Sequence, residues 1–366
     1  MVAGLLATLR AGGPYPALAI SGEQGSAKTV LSKLLGDLVD PNVASVRALV
    51  REERDLVVAA NNSHVLAFDN LSGLPHALSD AFCRLASGAS FGLRQLYTDA
   101  DEVLFQAARP ILLNGIDDVI GRSDLADRAL FLTLPPIADR RRRVERQLWR
   151  EFEVARPRIL GSLLDAAAHG LRNVAGIHLE ELPRMADFAL WATACETAFW
   201  PAGTFTQAYQ ANRRAAIEDL IDADPVAAWV RQIMANRSTW TGSALDLLRA
   251  GADLPGPGLP SGIAAWPKNP RALAGRLRRA QPFLRALGIH IAFSREGRAG
   301  TRVIRIHTRP DNTVSTVSVR HNDHDPGSNE RPPGPVGAAR DDSHRPGVRA
   351  ADEADGADAK TALHFG

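Results

Sequence analysis

Residues 18–29 read Leu-Ala-Ile-Ser-Gly-Glu-Gln-Gly-Ser-Ala-Lys-Thr and decide the fold. They match the phosphate-binding pattern Gly, four residues, Gly, Lys, then Ser or Thr, except that Ala27 stands at the second Gly. In such a loop, backbone N–H groups converge on an anion at the start of a helix. We predict a nucleotide-binding loop between a buried strand, 17–20, and a helix, 28–38. The expected nucleotide contacts are Gly22, Glu23, Gln24, Gly25, Ser26, Ala27, Lys28 and Thr29.

Two side chains of this loop carry its chemistry. Lys28 is placed to meet the β- and γ-phosphates of ATP, and the Thr29 hydroxyl is placed to ligate Mg²⁺. Ala27 suits the loop if it has helical backbone angles and does not suit it if the position needs a positive φ. The alternative is a glycine-containing turn before an ordinary helix.

Length and composition limit the possible classes of protein. The 366 residues allow two or three domains, and a 45% hydrophobic share supports a real core. Because the net charge is only +2, any nucleic-acid surface must be local. Cys83 and Cys195 lie far apart, which indicates a reducing compartment without a disulfide framework. No apolar run is as long as a membrane span, so we expect a cytoplasmic protein with no membrane partner.

Four regions of the chain differ in pattern. Residues 1–136 alternate strand-like and helix-like segments, which predicts an α/β parallel sheet, the core of a P-loop ATPase. Residues 137–238 are helical throughout, and residues 239–309 predict a winged-helix-like DNA-binding domain. Residues 310–366 are poor in apolar residues, and we expect them to be disordered. The predicted strands of the core are 17–20, 44–48, 64–68, 110–114 and 129–134, and its predicted helices are 28–38, 54–60, 78–86 and 124–128.

The predicted strand 64–68 ends in a carboxylate, Asp69. A strand that ends in Asp after a phosphate loop commonly holds the Mg²⁺ of the nucleotide. Such strand ends are frequent, and only the combination with Lys28 makes this one informative. We therefore assign Thr29 and Asp69 to the metal.

The residue after Asp69 is Asn70, where many ATPases place a Glu that accepts a proton from the attacking water. Asn can orient a water but cannot accept its proton. Glu52 or Glu53 could supply the base, and we favour Glu53, although both also suit a solvated helix start. Asp80 is another candidate. The remaining alternative is slow hydrolysis in a nucleotide switch.

Three further polar residues fit an ATPase. Asn114 ends the strand 110–114 and suits a γ-phosphate sensor, the alternative being a turn or cap residue. Arg122 and Arg128 follow. In ring ATPases an Arg before the next strand reaches the γ-phosphate of the neighbouring subunit. The alternative for Arg128 is a salt bridge with Asp124 or Asp127.

A hairpin candidate precedes the strand of Asn114. Residues 91–97 and 102–107 flank a turn at 98–101. A hairpin here would project into the central pore of a ring, with Arg94 and Tyr97 available for phosphate and base contacts. The alternative is a hairpin that only packs on the sheet.

The winged-helix-like region is strongly basic. From Trp266 to Pro310 there are eleven Lys or Arg and one acid, Glu296. On the predicted helix 269–287, three arginines spaced by seven share an outer face, which suits a DNA groove or backbone. The alternative is a solvated basic face. The candidate DNA contacts are Arg94, Tyr97, Lys268, Arg271, Arg278, Arg285, Arg295 and Arg298.

With these motifs, the chain resembles the C-terminal helicase half of phage and plasmid primase-helicases, which are related to superfamily 3 helicases and AAA+ ATPases. The resemblance covers roughly residues 14–308. It implies use of ATP and Mg²⁺, a homo-oligomeric ring, translocation on single-stranded DNA and replication of a mobile element. It also implies a primase on another polypeptide or a shortened element gene. The carrying stretches are 21–29, 64–70, 91–107, 110–114, 122–128 and 266–273.

Three functions compete. The first is a DNA-dependent ATPase motor of the helicase kind. The second is an ATP-dependent DNA-binding switch or loader with little hydrolysis, which Asn70 favours. The third is a small-molecule P-loop kinase, which leaves the basic winged region without a purpose.

Overall fold

Alternating apolar strands and helices build the first part of the chain. The computed structural model describes residues 1–94, 102–116, 119–252, 266–297 and 300–309. In chain order the strands are β1 (Ala17–Gly22), β2 (Leu66–Leu71), β3 (Ser90–Arg94), β4 (Glu102–Gln106), β5 (Ile111–Gly115), β6 (Ala129–Leu134), β7 (Thr239–Gly242), β8 (Ile289–Glu296) and β9 (Thr301–Thr308). The α-helices are α1 (Val2–Thr8), α2 (Lys28–Val39), α3 (Glu53–Asn62), α4 (His76–Ser87), α5 (Ser123–Ala126), α6 (Glu145–Asn173), α7 (Ala186–Glu196), α8 (Thr204–Ala223), α9 (Pro225–Ala235), α10 (Ala244–Ala252) and α11 (Pro270–Ala286).

A four-stranded parallel sheet, in the order β2–β5–β1–β6, forms the core of the fold. Its strands are mostly apolar, as expected for strands that are covered on both faces. β1 runs beside β6 from the pair Ala17 and Ala129 to the pair Gly22 and Leu134. Because all four strands are parallel, the carboxyl ends of β1, β2 and β5 meet at one edge of the sheet. The predicted α/β class is confirmed.

The predicted strand 44–48 is wrong. Only Arg47 bridges to Phe68 of β2, and its N–H donates to the Ala67 carbonyl at 2.8 Å. The segment enters from a turn in which the Asn42 side-chain oxygen accepts from the Ala44 N–H at 3.0 Å. This turn precedes the segment, whose strand-type pairing with the sheet is the single bridge at Arg47.

The predicted hairpin is present as β3 and β4, which pair from Ser90 and Gln106 to Arg94 and Glu102. Phe91 at its base is buried in the core of the sheet. The predicted turn, with Tyr97, lies outside the described residues.

Helices α6, α7 and α8 form the predicted helical region. α8 also protects the free edge of the sheet at β6. The Asn212 side-chain amide donates to the Phe131 carbonyl at 2.6 Å, and its oxygen accepts from the Phe131 N–H at 3.0 Å. One side chain on a helix thereby takes the place of a fifth strand at this position.

The last described region has the order of elements that is typical of a winged helix: α9, β7, α10, α11, β8 and β9. Its antiparallel sheet has the order β7–β9–β8. Asn269 caps α11 by accepting from the Ala272 N–H at 2.8 Å, and Pro270 occupies the first turn. The predicted winged-helix-like domain is confirmed as a fold.

One hydrophobic cluster continues from the parallel sheet into this winged region. It includes Phe68 and Leu125 from the sheet side, together with Leu277 and Phe283 of α11. The predicted domain boundaries stay predictions, and residues 310–366 lie outside the described part.

Two further observations concern the chain's environment. Cys83 and Cys195 are buried free thiols, and burial raises the pKa of Cys195 to about 12. Among the described helices, none combines the length and the apolar character needed to cross a bilayer.

Candidate functional site

The loop between β1 and α2 has a backbone that only particular residues allow. Gly22 has a φ of 150°, and a Cβ there would lie 2.6 Å from the Leu134 carbonyl oxygen. Gly25 has a φ of 83°. Glycine is therefore required at Gly22 by space and favoured at Gly25 by conformation.

Ala27 occupies the one position that departs from the loop pattern. It caps α2 with a φ of 63° and a ψ of 28°, in the left-handed region. Ala27 therefore lacks the right-handed helical backbone angles with which Ala would suit this position. A left-handed conformation costs an L-residue about 1–2 kcal/mol, so the loop holds local strain.

The ammonium of Lys28 lies over the loop itself. Its Nζ donates to the Gly22 carbonyl at 2.6 Å and to the Glu23 carbonyl at 2.8 Å. The Ser26 hydroxyl lies 3.4 Å from the same nitrogen. These contacts hold a positive charge at the edge of the sheet where the loop N–H groups begin the helix.

Thr29 and Asp69, the two residues that we assigned to a metal, are in contact. The Thr29 hydroxyl donates to Asp69 Oδ1 at 2.9 Å. A hydroxyl beside a carboxylate is a hard oxygen set of the kind that Mg²⁺ prefers when phosphates complete its shell. The pair brings together the start of α2 and the end of β2.

Asn114 ties the end of β2 to α2. It is 1% exposed; its Oδ1 accepts from the Asn70 N–H at 3.0 Å, and its Nδ2 donates to the Ser32 hydroxyl at 2.9 Å. Asn70 has a φ of 56°, and the β2–β5 register shifts at this point. The amide predicted to sense phosphate thus also positions the end of the Asp69 strand.

These groups surround a cavity of about 370 Å³. Among the described residues, Asp69 is the only carboxylate that lines it. The lining residues are Gln24, Gly25, Ser26, Ala27, Lys28, Thr29, Val30, Asp69, Asn70, Asn114, Gly115 and Ile116.

The structure does not bring the candidate bases to this cavity. Glu53 accepts from Arg84 at 2.6 Å and links α3 to α4. Asp80 pairs with Arg122 at 3.0 Å. Glu52 precedes α3, and none of the three acids lines the cavity.

Arg128 lies at the amino ends of the strands, whereas the loop lies at their carboxyl ends. It precedes β6, and Leu134, the register partner of Gly22, lies about 20 Å away at ~3.3 Å per residue along the strand. Its Nη1 contacts Asp124 Oδ1 at 3.0 Å, and its side chain is 14% exposed. The Asp124 pairing is the alternative that the sequence leaves open. Arg122 is paired with Asp80 but is 35% exposed.

A third arginine, Arg142, is a candidate that the sequence analysis missed. Its Nη2 lies 3.4 Å from the point where a Cβ on Gly25 would stand. Its salt bridge with Asp139 measures 3.2 Å. Both side chains are solvent-exposed, so this salt bridge contributes little to the stability of the protein. Because β6 runs beside β1, the residues after Leu134 emerge next to the loop; this strand order is the signal that could have found it.

The candidate DNA contacts fall into three groups. Arg271, Arg278 and Arg295 line one groove of the winged region. Lys268 and Arg285 are exposed but do not line it. Arg94 belongs to β3 by its backbone, while Tyr97 and Arg298 lie outside the described residues.

Comparison with family models identifies one family. Residues 1–223 match the model of the actinomycete integrative conjugative element replication protein, and residues 226–320 match the AICE RepA C-terminal domain. No curated protein matches the chain. A crystal structure of JCV helicase with a bound acetamide compound aligns with 13% identity over 63% of this chain, at a TM-score of 0.26. The alignment spans 64% of the helicase chain, less than two thirds of its length.

Proposed function

The chain belongs to the replication proteins of actinomycete integrative conjugative elements, and we propose that it serves there as a DNA-dependent ATPase, a helicase-like motor. The predicted role in replication of a mobile element is confirmed by the family. The resemblance to primase-helicases remains a prediction that this proposal uses.

The observation that carries the proposal is the Thr29–Asp69 hydrogen bond of 2.9 Å beside the Lys28 ammonium. ATP supplies the phosphoanhydride bond, and Mg²⁺ neutralises charge on the phosphate oxygens. Lys28 would bind the β- and γ-phosphates, and Thr29 and Asp69 would hold the metal. The loop N–H groups and the absence of a side chain at Gly25 leave room for the anion.

Hydrolysis needs a proton acceptor in addition to the metal ligands, and the described lining residues offer one carboxylate for both tasks. This carboxylate, Asp69, is assigned to the metal. Asn70 and Asn114 can orient a water without accepting its proton. Arg122 and Arg128 would act on the nucleotide of a neighbouring subunit in a ring. Of the two, Arg122 is the more exposed.

DNA would contact this protein at two sites. The β3–β4 hairpin, with Arg94 and Tyr97, would face single-stranded DNA in the pore. The basic winged region would hold DNA outside it. A primase on a separate polypeptide is the further partner that the resemblance suggests.

A second candidate is an ATP-dependent DNA-binding switch or loader with little hydrolysis. Two features favour it: Asn70, and a cavity lining in which Asp69 is the one carboxylate among the residues that the structure describes. Glu53, the base favoured from the sequence, is bound to Arg84 and is not at the cavity.

One assay separates these candidates: ATP turnover by the intact chain and by Lys28→Ala, with and without single-stranded DNA. The motor predicts turnover that DNA stimulates and that the variant loses. Binding of MgATP with no turnover, with or without DNA, would support the switch and contradict the motor.

A further inference from the structure

The winged region contains a groove that is larger than the cavity at the nucleotide loop. It has a volume of about 1070 Å³ and lies between the starts of α10 and α11 and the far end of the β8–β9 hairpin. Four arginines line it, and no carboxylate does so among the residues that the structure describes. The arginines are Arg271, Arg278, Arg295 and Arg302. The groove is therefore strongly cationic within a nearly neutral protein.

Two of these arginines lie opposite each other on neighbouring strands, an arrangement that does not stabilise the fold. Arg295 and Arg302 are register partners across β8 and β9. Like charges directly opposite one another in an antiparallel pair are destabilising. Within the described part of the chain, neither forms a salt bridge with an acid, and both are exposed, so a bound anion could reach both and offset their repulsion.

The two faces of the same hairpin differ sharply. On the inner face, Ile291 and Ile304 are buried against the helices, and Arg295 and Arg302 continue this face beyond the helix contacts. On the outer face, Arg305 pairs with Glu296 at 2.7 Å. The positive charge without acidic partners is thus concentrated on the side that faces α11.

Among the described residues that line the groove, one is aromatic, Phe293, and another side chain already covers its ring. The Arg278 guanidinium stacks over its ring, 4.5 Å from the centroid. Single-stranded DNA is usually held by bases stacking on free aromatic faces. This groove presents guanidinium groups in place of such faces, which suits sugar-phosphate backbone and not unpaired bases.

We propose that this groove binds one phosphate backbone of double-stranded DNA, with α11 against the base-pair edges of the major groove. This inference deepens the proposed action on DNA and depends on it. The 17 residues of α11 span about 25 Å, and a helix of that kind fits the major groove. Arg271 and Arg278 contact phosphate from the helix, and Arg295 and Arg302 contact it from the hairpin.

The test compares two probes on the full chain: a 20-base-pair duplex and one of its strands alone. The variant Arg295→Ala with Arg302→Ala removes one wall of the groove. We expect at least a tenfold loss of duplex affinity and a decrease of about two in the slope of log affinity against log salt, because two phosphate contacts are removed. Single-strand and MgATP affinities should change by less than twofold.

The matched control is Arg305→Ala with Arg309→Ala, which removes the same charge outside the groove. It should retain duplex affinity within twofold. Thermal melting provides a second readout: because the Arg295–Arg302 pair is repulsive, the groove variant should melt at the same or a higher temperature. Arg302→Glu should raise the melting temperature and weaken duplex binding further.

Two results would overturn the inference. One is unchanged duplex affinity in the groove variant; the other is an equal or larger loss for the single strand. If MgATP binding were absent while duplex binding depended on these arginines, the proposed ATPase would be wrong and the groove assignment would stand.

Discussion

Ala27 is left-handed at the start of α2, directly within the phosphate loop. Its carbonyl accepts from the Leu31 N–H at 2.9 Å, so the first turn of the helix depends on this conformation. The adjoining side chains, Lys28 and Thr29, contact the Gly22 carbonyl and Asp69, respectively. The strain is therefore located where nucleotide binding is proposed.

Replacing Ala27 with Gly should stabilise the protein. Gly avoids the energetic cost of the left-handed conformation, but it also raises the conformational entropy of the unfolded chain. The free energy of unfolding should therefore rise by about 0.5 kcal/mol, or roughly 1–2 °C in Tm. Calorimetric melting of Ala27→Gly measures this. The control Ala211→Gly, at an exposed helical position in α8, should lose about 1 kcal/mol. A lower Tm for Ala27→Gly would show that the left-handed angles are not those of the protein in solution.

Arg142 should strengthen nucleotide binding through its position beside Gly25. One charge-assisted contact at an exposed site contributes about 1 kcal/mol, so Arg142→Ala should weaken MgATP binding about fivefold. Titration calorimetry at low salt measures the affinity. Arg140→Ala, two residues earlier in the same turn, should have little effect. Equal losses in the two variants would indicate a general charge effect.

At the level of helices and strands, a side-chain hydrogen bond to backbone groups joins α8 to the parallel sheet. Asn212 of α8 covers the edge of β6. α11 packs against α5, the segment between Arg122 and Arg128. The helix that would bind DNA is thus in direct contact with the segment that would reach a neighbouring subunit.

Removing the Asn212 amide should expose the edge of the parallel sheet. Asn212→Ala leaves the N–H and carbonyl of Phe131 without their partner, which costs about 1–3 kcal/mol. We expect a lower Tm and some self-association, since an unpaired strand edge can bind other chains. Melting and light scattering measure the two effects. Gln207→Ala, at an exposed position of the same helix, is the control and should leave both unchanged.

The winged-helix hairpin should be less stable in mild acid. His290 and His307 stack across β8 and β9 with centroids 5.2 Å apart. Burial, followed by the positive charges of His307, Arg309 and Arg285, lowers the pKa of His290 below its usual 6.5. The unfolded chain then binds more protons than the folded one near that pH, so the free energy of unfolding falls as the pH drops through 6.5.

Melting at about pH 7.5 and about pH 5.5 tests this linkage, with the expected Tm lower in acid. His290→Gln should reduce the difference between the two pH values. An unchanged difference would assign the acid sensitivity to other groups.

At the scale of the whole molecule, local patterns predicted most of the architecture. The loop, the Asp69 strand end and the winged helix follow from motifs and periodicity within short stretches. Arg142 and Arg302 were not assigned because their roles depend on which strands are neighbours, which a single sequence does not specify. The backbone angles of Ala27 stayed open for a different reason: Ala favours the helix that follows it, whereas the loop position can require a positive φ.

Every proposed function of this replication protein requires that a magnesium nucleoside triphosphate binds at the loop around Gly25. Equilibrium titration of the intact chain with MgATP, repeated with Lys28→Ala and with a chelator, measures this binding. We expect saturable binding that requires magnesium and is lost in Lys28→Ala. If no magnesium nucleoside triphosphate binds, or if Lys28→Ala binds equally well, the loop is not a nucleotide site.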